Sequence, residues 1–182
     1  MRIIRGIYKT RRFKVPKGFP SRPTTDFAKE GLFNMLEHNY LASDLKILDL
    51  CAGTGNISIE FLSREVGTVV SVDNNYNCVR HIKTISKEYG CENNISVIKS
   101  DIIKYLKNSN LKFDIIFADP PYAFTRYDEI TSYVFEKEML AENGVLIIEH
   151  GKETSLEHIT QFDFERIFGN VHFSFFESKQ EE

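Results

Sequence analysis

The chain has little of what marks a secreted, membrane-spanning or metal-bound protein. Its 182 residues include three cysteines, Cys51, Cys78 and Cys91, odd in number, far apart and without a C-x-x-C pair. That usage excludes a disulfide framework and predicts reduced thiols. The five histidines show no ligand spacing, so no metal site is predicted. No apolar run approaches the roughly 20 residues of a membrane span, and no membrane partner is expected. The start, Met1-Arg2-Ile3-Ile4-Arg5-Gly6, lacks the apolar core and small-residue cleavage site of a secretory signal. A cytoplasmic location is the expectation.

What is present is a globular composition, 42% hydrophobic and 27% charged, in a length suited to one domain over residues 1–182, expected as a monomer. The net charge of −3 hides a polarised chain. Residues 1–23 hold eight basic residues (Arg2, Arg5, Lys9, Arg11, Arg12, Lys14, Lys17, Arg22) and no acid, leaving 15 basic against 26 acidic residues elsewhere. A basic arm on an acidic body points to a polyanionic partner.

Residues 2–14 alternate apolar and basic side chains and predict two short strands, with a turn or bulge at Gly6 or Thr10. Together with the Pro- and Gly-rich stretch 15–23 they would form a basic β-hairpin arm and loop. Thr24, Thr25 and Asp26 are N-cap candidates for a helix whose Ala28, Leu32, Met35 and Leu36 face a core. Strands and helices then alternate: strands at Lys46–Leu50, Thr68–Val72, Ile95–Ile98, Lys112–Ala118 and Val145–Glu149, with helices between them. The pattern predicts an α/β fold, a mostly parallel sheet with helices on both faces. Gly169-Asn170 between Phe162–Phe168 and Val171–Phe175 predicts a closing antiparallel hairpin, its last strand half-buried.

Two motifs carry chemistry. Asp49-Leu50-Cys51-Ala52-Gly53-Thr54-Gly55-Asn56 is a strand, a glycine-rich turn and a helix start. Glycines serve where backbone must approach a ligand or take positive φ. The dinucleotide fingerprint is incomplete, since its third glycine would fall at Ser58, and no Gly-Lys-Ser/Thr follows. Asp49, just ahead of the loop, would repel a pyrophosphate but suits a cationic cofactor such as S-adenosylmethionine. Asp73, with Asn74 beside it, ends the second strand, where an acid can accept ribose hydroxyls. Asp101 follows the third strand, placed for an adenine amino group, and Ile102 offers its backbone N–H.

The second motif is Asp119-Pro120-Pro121-Tyr122, which ends an apolar strand. In a doubly wound order strands one and four are neighbours, so Gly53 and Asp119 would face one crevice. The Asp119 side chain and the Pro120 carbonyl can accept the two hydrogens of a base amine. That would free its delocalised lone pair toward a methyl group, with the prolines holding the acceptors in place. Tyr122 can stack on the base.

These motifs resemble SAM-dependent amino-group methyltransferases of the seven-stranded class I fold. The front of the chain sharpens the likeness. Arg2-Ile3-Ile4-x-Gly6-x-Tyr8-Lys9-x-Arg11-Arg12 and Arg22-Pro23-Thr24-Thr25-Asp26-x-x-Lys29-Glu30-x-Leu32-Phe33-Asn34 are similar to the bacterial family that makes N2-methylguanine in 16S rRNA. The resemblance implies methylation of one guanine, within the small ribosomal subunit or its late precursor. It implies Asp119, Pro120 and Tyr122 at the guanine, and Asp49, Gly53, Gly55, Asp73 and Asp101 at the cofactor. Arg22, Thr24, Thr25 and Asp26 would line the site, and the arm (Arg2, Arg5, Lys9, Arg11, Arg12) would dock RNA. Arg5 and Thr10 depart from the Gly or Ser, and the Gly, expected there. The residues of the corner alone leave adenine-N6 methylation open, and a non-catalytic RNA-binding factor on the same fold is the other alternative.

Overall fold

The computed structural model describes residues 1–15, 19, 24–40 and 43–177. Seven strands form one sheet in the order β3-β2-β1-β4-β5-β7-β6. The strands are β1 Lys46–Leu50, β2 Thr68–Asp73, β3 Ile95–Lys99, β4 Phe113–Ala118, β5 Leu140–Gly151, β6 Phe162–Phe168 and β7 Val171–Glu177. The helices are α1 Asp26–Asn39, α2 Asn56–Ser63, α3 Tyr76–Tyr89, α4 Ile102–Asn108 and α5 Tyr127–Glu136. β1 to β5 run parallel, and β7 is antiparallel to both neighbours. Strand order reverses between β1 and β4, and in open α/β sheets ligands bind at the carboxyl ends beside such a switch.

The central strands are continuous apolar runs because helices cover both faces. Along β4, Ile115 and Phe117 enter a core with α1 and α2, whereas Ile116 and Ala118 enter the opposite core with α4 and α5. α2 is buried at all eight positions, pressed between the sheet and the N-terminal segment. Thr25 caps α1 by accepting the Ala28 N–H at 3.2 Å, as its position before the periodic run predicts.

Three expectations need correction. The N-terminal segment forms no strands: Arg2 and Arg12 make one isolated antiparallel bridge, and a turn with Gly6 and Thr10 at φ +85° and +71° links them. Its two arms pair with each other only briefly, the Ile3 N–H donating to the Arg11 carbonyl at 3.1 Å and the Thr10 N–H to the Ile3 carbonyl at 3.2 Å, and its backbone also pairs with α2. The Ile4 and Arg5 N–H groups donate to the Glu60 carboxylate at 3.0 and 3.1 Å, and those of Ile7 and Tyr8 donate to Ser63. Ile3, Tyr8 and Phe13 are buried in the core, so the basic arm is a docked turn rather than a free hairpin. Second, β7 is not half-buried, since Ser174 and Phe176 are buried along with Phe173 and Phe175. It lies between β5 and β6 and is covered on both faces. Third, β5 starts five residues early, at Leu140, with an irregular register against β4 and Asn143 at φ +59°.

Candidate active site

Four strand ends converge at the carboxyl edge of the sheet. After β1 the chain turns through Cys51, Gly53 and Gly55, at φ +60°, +53° and +77°, into α2. At Gly55 a Cβ would also come within 2.9 Å of Ile82, so the turn needs glycine there for space as well as φ. Asp73 braces the turn: its Oδ2 accepts the Gly53 N–H at 2.8 Å and its Oδ1 accepts the Asn75 N–H at 2.7 Å. Each oxygen keeps a lone pair for a further donor. Asn74 is exposed beside it.

Asp49 is 1% exposed and accepts a hydrogen bond from Ser58, whose hydroxyl also meets Ser71 at 2.6 Å. The place where a dinucleotide fold would need glycine thus carries a hydroxyl that holds the acid. Burial pushes the Asp49 carboxyl up to about 7 despite that bond, with the Asp73 and Glu149 charges adding to the rise.

Asp119 follows β4, and its N–H donates to the Leu50 carbonyl at 3.2 Å, tying the corner to the glycine turn. Thr24, Asp49, Gly53, Asn56, Phe117 and Asp119 are among the residues enclosing a cavity of about 20 Å³, the floor of the crevice. The larger hollow of about 480 Å³ opens at the other end of the sheet, around Lys112 and Gly144, and holds none of the predicted site residues. Pro120 is buried, Pro121 exposed, and Tyr122 is 89% exposed with its ring edge over Gly151. Desolvation raises the Asp119 carboxyl well above the ordinary range, and the neighbouring Glu149 and Asp49 charges raise it further.

Asp101 stands at the end of β3, where it caps α4 by accepting the Lys104 N–H at 3.0 Å, and Ile102 opens that helix. Thr24 lies in the crevice, and Asp26 is 3.8 Å from Arg2 at its rim. Arg22 lies outside the described residues. The rest of the basic segment is not gathered at the opening. Arg5 pairs with Glu37 near the far end of α2, and Arg11 stacks on Tyr8 and on Tyr89, the last residue of α3, at 5.4 and 5.3 Å. Helices of eight and 14 residues put those ends about 12 and 21 Å from the crevice. Lys9 and Arg12 are exposed, with no ion pair among the described residues.

The sequence alone did not point to three groups. Lys29 is buried on α1 and donates to the Arg2 carbonyl at 2.7 Å and Asn56 Oδ1 at 2.8 Å, with Glu60 at 2.9 Å. Glu149 stands beside Asp119 and accepts from Thr24 Oγ1 at 2.8 Å. Its signal was present, for it is one more acid at a strand's end. A third group, His150, Glu165 and His172, meets across β5, β6 and β7, which linear spacing cannot show. Both His150 nitrogens are engaged there, with Ser174 at 2.7 Å and the Gly151 carbonyl at 3.0 Å.

Asp49, Asp119 and Glu149 thus form an acidic group with no basic side chain paired to it among the described residues. Such an uncompensated site fits a cofactor with cationic groups and not a pyrophosphate. With the glycine turn, the ribose-type acid on β2 and the Asp-Pro-Pro-Tyr corner on a 3-2-1-4-5-7-6 sheet, it defines a class I SAM-dependent methyltransferase.

Within that class, the chain belongs to the family described as Conserved hypothetical protein 95, whose model matches residues 1–177. The Bacillus subtilis protein YlbH is 33% identical over 159 residues, spanning 86% of this chain and 85% of that protein. The Haemophilus influenzae "Ribosomal RNA small subunit methyltransferase D" is 30% identical over 159 residues, 86% of this chain and 81% of its own length. A solved Escherichia coli structure, yhhF, superposes with a TM-score of 0.83 at 25% identity, covering 97% of this chain and 96% of that one.

Proposed function

We propose that this protein transfers a methyl group from S-adenosylmethionine to the exocyclic N2 amine of one guanine in 16S rRNA, within the small ribosomal subunit or its late precursor. The observation that carries the reading is Asp119 at the wall of the crevice it shares with the glycine turn. The Haemophilus relative's name supports the substrate class. When bound, S-adenosylmethionine supplies a methyl group on a positively charged sulfur. Asp49 would hold its cationic end, the free lone pairs of Asp73 would accept from the ribose hydroxyls, and Asp101 and the Ile102 N–H would bind the adenine, with Asn74 alongside.

At the target base, Asp119 and the Pro120 carbonyl accept the two amine hydrogens, which directs the amine lone pair into the crevice; the positive charge of the bound cofactor would favour the ionised Asp119 that burial and its acidic neighbours disfavour. Pro120 and Pro121 fix φ, so the acceptors need no reorganisation when the base arrives. Tyr122 is already exposed and stacks on the base, worth roughly 1–3 kcal/mol. The proton shed by the methylated amine passes to Asp119 or to solvent. Arg2, Lys9 and Arg12 meet phosphates. We read the enzyme as a cytoplasmic monomer that uses no metal. No helix among the described residues is long and apolar enough to cross a membrane.

The test is methyl transfer from labelled S-adenosylmethionine to undermodified small subunits, with nucleoside analysis of the product and free 16S rRNA and DNA in parallel. Label in N2-methylguanosine is expected, falling at least about 100-fold in Asp119→Ala with cofactor binding retained. Label in N6-methyladenosine would replace this reading with its adenine counterpart. Cofactor binding without transfer to any of the three would overturn it.

A further inference from the structure

We propose that Glu149 selects guanine at this site, its carboxylate accepting the ring N1–H while Asp119 and Pro120 hold the neighbouring amine. The inference rests on the guanine reading above and adds the group that reads the base.

The geometry comes from the ladder. Asp49 pairs with Phe117 and Phe117 with Ile147, so these three share a face of the sheet. Asp119 and Glu149 lie two residues beyond Phe117 and Ile147, on that same face. The last pair of the β4–β5 ladder is Ala118 with Ile148, so Asp119, where the chain leaves β4, stands beside Glu149, which is still in β5 and pairs with Phe173 of β7. Neighbouring strands are about 4.8 Å apart. The corner therefore presents two adjacent carboxylates in the plane where a base amine must sit.

Glu149 is positioned rather than loose. Thr24 Oγ1 donates to its Oε2 at 2.8 Å, which fixes one oxygen; burial raises the carboxyl to about 7, and the Thr24 bond opposes that rise. Its Oε1 has no hydrogen-bond partner among the described residues. Among the described residues no Lys or Arg pairs with Glu149, and its charge acts on both Asp119 and Asp49. Its open oxygen can accept a hydrogen bond from a base N–H.

Guanine offers two adjacent donors, the amine and the N1–H. Adenine offers an amine beside a ring nitrogen that bears a lone pair. An anionic oxygen facing that lone pair would set acceptor against acceptor in a desolvated site. The Asp-Pro-Pro-Tyr corner accepts either amine, and Glu149 decides which ring edge can accompany it. A site built to hydrogen-bond a substrate N–H can reject an analogue lacking it by several orders of magnitude.

2-Aminopurine keeps the N2 amine but has a lone pair at N1. Once the methylated guanine is mapped, subunits are assembled with 16S rRNA carrying 2-aminopurine at that position. The wild-type protein is expected to prefer guanine at least about 100-fold in kcat/KM. In Glu149→Gln the amide can donate to a ring lone pair, and in Glu149→Ala nothing opposes it. Both variants are expected to shrink the preference at least tenfold at saturating S-adenosylmethionine.

An unchanged preference in variants that bind cofactor would overturn the proposal. Should neither variant fold, the wild-type ratio decides alone, and a preference below about threefold overturns it. A wild-type protein that labels no guanine at all would instead overturn the function on which the proposal rests.

Discussion

On the proposed reading, Asp49 couples cofactor binding to stability. Its carboxyl titrates near 7 in the folded chain, against about 3.9 when unfolded. Between those values the folded state holds the additional proton, so stability falls as pH rises, and above pH 7 the loss is complete. Three pK units correspond to on the order of 4 kcal/mol. Asp49→Asn removes the titrating group. Thermal unfolding should show the variant stabilised at pH 8 and nearly unchanged at pH 5, while its affinity for S-adenosylmethionine drops at least tenfold by calorimetry. Equal stabilisation at both pH values would show that burial of the Asp49 charge is not the cause. Asp49, Asp73, Asp101 and Asp119 were legible in the sequence because each lies at or just past the carboxyl end of a strand. Glu149 lies near such an end too, but it was read as the strand's last residue, and its hydrogen bond to Thr24 spans 125 positions.

At the scale of elements, Lys29 joins α1, α2 and the N-terminal turn. Glu60, its partner, also receives the Ile4 and Arg5 N–H groups and pairs with Arg64. Removing the ammonium leaves buried acceptors on Arg2, Asn56 and Glu60 without their donor. Lys29→Met is expected to cost about 3–5 kcal/mol in denaturant unfolding. Because Asn56 opens α2 directly after the glycine turn, cofactor affinity should fall as well. A loss below about 1 kcal/mol would mean Arg64 alone satisfies Glu60. The strands of the parallel sheet were readable because apolar runs and glycine turns are local signals. The N-terminal segment misled because alternation suits any half-buried extended chain. Its partner, the Glu60 and Ser63 end of α2, lies more than 50 residues away. The last strand misled for a related reason: Ser174 looks solvent-facing until its bond to His150 is known.

Across the whole molecule, charge is divided by place. Carboxylates crowd the carboxyl edge of the sheet, and the basic residues of the N-terminal turn lie along the flank formed by α2 and α3. An RNA reaching the crevice would cross that flank, its phosphates against cations and its target base turned into the acidic end. Arg11 is held by two tyrosines, so the pair to neutralise is Lys9 and Arg12. Lys9→Ala with Arg12→Ala should lower the slope of log affinity against log salt by about 1.4–1.8, leaving cofactor binding intact. A slope equal to that of wild type would remove the flank from the RNA path. The polarity of the first 23 residues was visible in the composition, but not the side of the molecule on which they lie.

The place of β7 between β5 and β6 bears on how the protein is made. A ribosome delivers β6 before the strand it must pair with, so β6 emerges with no edge to join. Until β7 follows, β5 is itself an open edge and Glu149 lacks the wall that Phe173 forms beside it. Five strands can assemble in the order of synthesis, but the acidic corner closes only when the last hairpin folds back and inserts. A nascent chain stalled before Val171 would carry the glycine turn and Asp119 yet lack a finished pocket.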